Sequence, residues 1–335
     1  MKKIIYLISS IFIVVLAGCS NDTESPSTKD QDALTPVSFV LDWTPNTNHT
    51  GIYVAKEKGY FKEQGLDVEI LLPGEVGSTQ LIATGNADFG ISYQEGLMMA
   101  RSENMPIVSV AAIIQHNTAG YASPAEYGIL EPKDFEGKVF GALGSDLEKA
   151  MMDTLMKENG ADVSKVEFKN IGDADYFVAV ERDVDFSLVY QGWTGIEGEL
   201  RNKDLNMVYL KDFSEALDFY TPIIATNEKQ IEKNPELVEK FIHAAVKGYE
   251  FAIENPDEAA QILIDQEPDL DPDLVLKSQQ WLSTQYQDDA PQFGIQEELR
   301  WQKVNDFMSE HDILKEALNI KEAFTNDFLP NTKGE

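Results

Sequence analysis

The chain has 335 residues, 43% of them hydrophobic, with one cysteine, four histidines and a formal charge of −31 from 58 acidic and 27 basic side chains. So acidic a surface repels polyanions, which excludes nucleic acid as a partner and disfavours highly phosphorylated ligands. A lone cysteine excludes an intrachain disulfide and any cysteine-based metal cluster.

The N-terminal stretch "MKKIIYLISSIFIVVLAGC" pairs two lysines with an apolar run and a small-residue end. That pattern predicts a secretory signal over 1–18, to be left out of the fold. Its last four residues, "LAGC", resemble a bacterial lipobox, with Cys19 as the first mature residue and the site of lipid attachment. The expected location is therefore extracytoplasmic, held to the cell membrane by a lipid anchor. The next stretch, "SNDTESPSTKDQDAL", is polar and has little to fill a core, so 19–35 reads as a tether. Roughly 300 residues remain, enough for two domains with real cores. No second apolar run is long enough to span a bilayer.

From there short β-like runs alternate with helical stretches, the pattern of an α/β protein with mostly parallel sheets. Strands are expected at 37–43, 67–72, 87–92 and 107–114, with helices at 51–58, 77–84 and 95–103 between them. Near Ser123-Pro124 the pattern changes to a loop, a strand ending near Leu143, and a helix capped by Ser145 or Asp146 with Glu148 in its first turn. Then come "VEFKNI", a helix near 175–182, "VDFSLVY", a helix from about Thr194, and "NMVYL". After the extended "DFYTPIIATN", amphipathic helices are expected over 235–254, 256–266, 271–286 and 296–310, most opened by Pro or an acidic cap.

A middle α/β block between an early α/β block and a late helical block suggests two lobes, lobe 1 from 36–123 and 225–330, lobe 2 from 124–224. The crossings near 122–125 and 221–225 would form a hinge. Ligands of open α/β sheets bind at the carboxyl ends of strands, here in a cleft between the lobes. The residues at those ends share a composition. Asp42, Trp43, Asn46, Asn48 and His49 follow the first strand, Ser92, Tyr93 and Gln94 the third, and Gln115, His116 and Asn117 the fourth. Ser145, Tyr190, Trp193, Glu197 and Tyr220 do the same in the middle block and after it.

Such rings form an apolar slot in which a planar ligand stacks, while the amides supply donors and acceptors. Asp42 or Glu197 accepts from an exocyclic amine or a protonated ring nitrogen, so a heteroaromatic with amino substituents satisfies both halves of the set. Ordinary core filling is the alternative for any single ring. The histidines are scattered, so no metal site is expected, and no Gly-x-Ser-x-Gly elbow, phosphate loop or dinucleotide fingerprint occurs. No cofactor is called for. The "GSDLEKAMM" turn is the one place where backbone N–H groups at a helix start would face a ligand's polar end.

The run "LDWTPNTNHTGIYVAKEKGYFKEQGLDVEIL" closely resembles the opening of the formylaminopyrimidine-binding lipoproteins of thiamine salvage, solute receptors of ABC importers. The likeness continues through "GSTQLIATGNADFGISYQEGLMMARSENMPIVSVAAIIQHNTAGYAS" and "YQGWTGIEGEL" to the "YTPIIATN" region. The resemblance implies a two-lobed periplasmic-binding-protein fold that closes on a pyrimidine and docks on a membrane permease. It sets Trp43 and either Tyr190 or Trp193 against the ring, with Asp42, Asn46, His49, Tyr93 and Asn117 on one wall and Ser145 and Glu197 on the other. This chain departs from the family at "GWTGI", where Thr194 stands in place of a usual Glu. Riboflavin and sulfonate receptors belong to the same wider group. So does a pyrimidine synthase that consumes one of its own histidines, in a loop resembling Asn48-His49. The export signal and the single cysteine argue against that enzyme reading.

Overall fold

The computed structural model describes residues 33–172, 174–316 and 318–331. The expected signal peptide, Cys19 and nearly all of the tether lie outside them. Ten strands run in chain order as β1 (Thr35–Val40), β2 (Leu66–Leu71), β3 (Phe89–Ser92), β4 (Ile107–Ala112), β5 (Ala119–Pro124), β6 (Val139–Ala142), β7 (Glu167–Asn170), β8 (Phe186–Tyr190), β9 (Leu205–Tyr209) and β10 (Ile223–Asn227). They form two five-stranded sheets, ordered β2-β1-β3-β10-β4 and β7-β6-β8-β5-β9.

The two sheets follow one plan. In the first, β1 pairs in parallel with β2 and β3, while β10 lies antiparallel between β3 and β4. In the second, β6 pairs in parallel with β7 and β8, while β5 lies antiparallel between β8 and β9. Each sheet thus has a single reversed strand, and in each case it is the strand next to a crossing between sheets. The expectation of mostly parallel sheets holds, with that one exception per sheet.

β5 corrects the sequence reading, which has a loop near Ser123 and the first crossing at 122–125. The chain has already joined the second sheet at Ala119, so the crossing lies in 113–118. "AGYASP" carries little β propensity because it is small and ends in Pro. Its place in the sheet demands small residues: a Cβ on Gly120 would come 2.6 Å from the Met207 sulfur and 3.0 Å from the Val208 carbonyl oxygen.

Helices cover both sheets. The longest, Pro235–Glu254, begins with Pro at its first position and buries Phe241 against Phe39, Phe61 and Phe89, the last at 4.0 Å between ring centroids. It crosses the helix Thr50–Glu57 so closely that a Cβ on Gly248 would sit 2.1 Å from the Gly51 carbonyl oxygen, and a Cβ on Gly51 would enter the Tyr249 ring. This contact fixes the start of Thr50–Glu57, and with it the loop after β1. One apolar cluster runs from Val40 and Ile223 of the first sheet to Tyr121 and Phe186 of the second, within a body that begins at Leu34. Among the described residues no helix is long and apolar enough to cross a membrane.

Candidate functional site

The loop after β1 makes one wall. Asn46 caps a single 3-10 turn, Thr47–His49: its side-chain oxygen accepts from the Asn48 N–H at 2.9 Å and its side-chain amide donates to the Thr44 carbonyl at 3.0 Å. The Asn46 backbone N–H donates to His49 Nδ1 at 3.2 Å, so the ring proton must reside on Nε2, which lies 2.7 Å from Asp42 Oδ1. Tyr93, at the end of β3, donates its hydroxyl to Asp42 Oδ2. Burial raises the pKa of Asp42, but the hydrogen bonds from His49 and Tyr93 outweigh it and hold the carboxyl below its ordinary value. Burial first, then the charge of Asp42, push the Tyr93 phenol upward, which keeps it a donor. The C-terminal helices brace the loop from behind: Tyr249 donates to the Asn48 carbonyl at 2.8 Å and Tyr286 donates to the Thr47 carbonyl.

The second wall comes from the ends of β6 and β8. After β8, "QGWTG" makes a π-helical turn, Gln191–Gly195, before the short helix Ile196–Leu200. Such a turn often marks a functional position. Gly195 leaves room in it for the Gln191 side chain, whose oxygen would lie 2.2 Å from a Cβ there. Trp193 packs half-buried against the core of the first sheet, and Ser278 of the helix Pro272–Leu282 donates to the Gly192 carbonyl. Ser278 also pairs with Thr47 at 2.6 Å, so a chain of hydroxyls ties the two walls together.

After β6 the helix Asp146–Glu158 starts with Ser145 as its cap. The N–H groups that the sequence reading points at a ligand are occupied by Glu148, whose carboxylate accepts from Leu143 at 3.0 Å, Gly144 at 2.9 Å and Ser145 at 3.1 Å. This is a capping box extended by two further donors. An anion cannot use that helix start while Glu148 fills it.

Between the walls lies a gap of about 20 Å³ lined by Asn46, Thr47, Asn48, Ile114, Thr118, Tyr190, Gly192, Trp193, Thr221 and Leu282. It has room for about one water, so a ring enters only when the walls part. No lysine or arginine lines it. Of the residues expected at the site, Asn46, Tyr190 and Trp193 line this gap, and Asp42, His49 and Tyr93 form the network beside it. Trp43 stands 56% exposed and Tyr190 41% exposed, open faces for such large side chains.

Three expected contacts have other partners. Asn117 is fully buried at the crossing, donating to the Leu217 carbonyl at 2.8 Å and accepting from the Ala119 N–H at 2.9 Å. Ser145 is spent on its cap, and Glu197 pairs with Arg201 one helical turn on. The sequence reading passes over Thr47, Thr118, Thr221, Ser278 and Leu282, small or aliphatic residues with no chemical signature. It also stops one residue short of Glu95, an acid two positions after Tyr93. Among the described residues no group of His, Cys, Asp and Glu has the geometry to hold a metal ion.

Residues 46–259 match the family model described as NMT1/THI5 like. The chain belongs to this family. It is 29% identical to the formylaminopyrimidine-binding protein of Halalkalibacterium halodurans, across 97% of this chain and 98% of that one. It is also 29% identical to a 4-amino-5-hydroxymethyl-2-methylpyrimidine phosphate synthase of Saccharomyces cerevisiae, over 73% of this chain and 75% of the relative. Among solved structures, the periplasmic aliphatic sulphonate binding protein of Escherichia coli aligns with a TM-score of 0.68 at 11% identity, covering 90% of this chain and 95% of that one. The fold of this NMT1/THI5-like chain is that of the periplasmic binding proteins.

Proposed function

We propose that this NMT1/THI5-like protein is the solute receptor of an ABC importer, binding a thiamine-related pyrimidine, formylaminopyrimidine or a near relative, between its two lobes. The lobes are built on the two sheets, with the crossings at 113–118 and 210–222 as the hinge. Ligand holds the walls together, and the closed form is the one a membrane permease accepts. A lipid on Cys19 would keep the receptor beside the permease.

The observation that carries the ligand class is the pairing of accessible rings at Trp43 and Tyr190 with a gap that no lysine or arginine lines. A sulfonate or nitrate needs cationic or free N–H donors, and the helix start after β6 is already closed by Glu148. A neutral aromatic with amino groups needs a stacking face and acceptors, which this cleft has. Binding rather than catalysis is favoured by His49, which is fully buried with one ring nitrogen on Asp42 and the other on the Asn46 backbone. Neither nitrogen is free to react.

A melting-temperature screen of the domain tests the reading, using formylaminopyrimidine, 4-amino-5-hydroxymethyl-2-methylpyrimidine, riboflavin, an alkanesulfonate and nitrate. A ligand at about one hundred times its Kd adds about 2.7 kcal/mol of stability, a visible shift. The pyrimidines are expected to stabilise. Stabilisation by the sulfonate alone would overturn the ligand and leave the fold standing.

A further inference from the structure

Glu95 lies in the first turn of the nine-residue helix Gln94–Ser102, directly after Tyr93. The helix has no side-chain cap. Two observations set this carboxylate apart from the other acids among the described residues. Its Oε2 is buried and has no hydrogen-bond partner. An uncompensated buried carboxylate oxygen is costly and rare, and calls for a reason. Neighbours surround Glu95 on all sides, yet part of the residue stays accessible, as it does at Tyr190. Deep placement with residual access is the mark of a cleft floor.

The surroundings say where the oxygen faces. No other charge acts on the Tyr190 phenol as strongly as that of Glu95, and Glu95 also acts on Tyr93. It is thus near residues of both walls, Tyr93 two positions before it and Tyr190 across from it. Gln94 beside it is fixed by two bonds to Tyr220, receiving the Tyr220 N–H at 2.8 Å, and its side-chain N–H group is buried without a partner. One free acceptor and one free donor thus lie on adjacent residues.

We propose that Glu95 is the acidic contact of the cleft, its free oxygen receiving the amino group on the edge of the bound aromatic, with the Gln94 amide beside it. The ligand class this selects is a heteroaromatic whose exocyclic amine lies next to a ring nitrogen. The proposal rests on the pyrimidine reading above and deepens it. Burial, opposed only by its own backbone N–H, pushes Glu95 up to about 7, and an amino group donating to the free oxygen would favour the ionised form.

The test is calorimetric titration of the whole receptor with 4-amino-5-hydroxymethyl-2-methylpyrimidine and with the analogue in which hydrogen replaces the amino group. The wild type is expected to favour the amino compound about 10- to 100-fold, the worth of a charge-assisted hydrogen bond. In Glu95→Met, of similar size, the ratio should fall to about 1. Glu95→Gln guards against misfolding of the Met variant, and its ratio should fall several-fold through loss of the charge. A wild-type ratio retained in either folded variant overturns the role of Glu95 and leaves the pyrimidine reading intact. A wild type that binds neither compound overturns both.

Discussion

The two walls of the cleft use their polar groups in different ways. On the first, Asp42, His49 and Tyr93 spend their hydrogen bonds on one another, and the loop is braced by Tyr249 and Tyr286. On the second, the polar groups near the cleft serve the backbone: Ser145 and Glu148 close a helix start, and a π-helical turn presents Tyr190 and Trp193. The first wall is a fixed surface whose geometry is set before ligand arrives. The second is a ring surface held to the first through Ser278 and the Gly192 carbonyl. On the proposed function, preorganisation on one side and closure on the other would bind a flat molecule with the movement of only one wall.

If the first wall is a fixed network, Asp42→Ala should have the largest effect. It leaves two buried donors unmatched and is expected to cost about 3 kcal/mol of stability, read by urea unfolding, with pyrimidine binding lost as well. Trp43→Ala tests the open faces. With 56% of the residue exposed, stability should change by less than about 0.5 kcal/mol. Affinity should fall about tenfold or more through loss of stacking and covered area. Unchanged affinity would remove Trp43 from the site.

Glu148→Ala tests whether the second wall's helix start is closed by its own acid. The helix should lose about 1 kcal/mol of capping. Sulfate should then raise the melting temperature of the variant but not of the wild type. Ser278→Ala removes the tie to Gly192 at about 1 kcal/mol. The ligand-free protein should shift to a larger radius of gyration in solution scattering, whereas an unchanged radius would show that the tie does not hold the walls.

The smallest effect belongs to the crossing. His116 Nδ1 lies 2.6 Å from Asp218 and Nε2 lies 3.1 Å from Asp289, with Arg300 alongside. The hydrogen bond to Asp218 is the main cause that raises His116 above 6.5, against burial and Arg300. A raised histidine contributes stability fully below its unfolded value of about 6.5 and loses it as pH climbs through the folded value. Asp218 is lowered below 3.8: burial opposes the shift, and His116 and Arg300 outweigh it. Its contribution is present above 3.8 and fades as pH falls through its folded value. Stability from the pair should therefore peak between these limits. In His116→Gln the loss on the alkaline side should vanish from a pH series of melting temperatures.

Much of the fold was readable in the sequence because strands and helices announce themselves by period. Nearly every expected strand is present, and Pro235, Pro256 and Pro272 open their helices as expected. β5 escaped because "AGYASP" is chosen for closeness to Met207 and Val208 rather than for β propensity. The residues gathered at the candidate site were readable in part for a related reason. Asp42, His49 and Tyr93 stand at strand ends, where α/β sheets place their ligands, and their residue types are conspicuous.

What the sequence determined by itself is the set of elements, the acidity of the surface and the aromatic character of the strand ends, all properties of short windows. The tertiary structure decided which polar groups are already spoken for. Ser145 and Glu148 are three residues apart and satisfy one another, Asn117 is spent on the crossing, and Glu95 is left with an oxygen to which nothing among the described residues donates. Whether a side chain has a partner depends on residues far away in sequence, as with Thr47 and Ser278. Only packing brings those together, and so only packing shows which groups remain for a ligand.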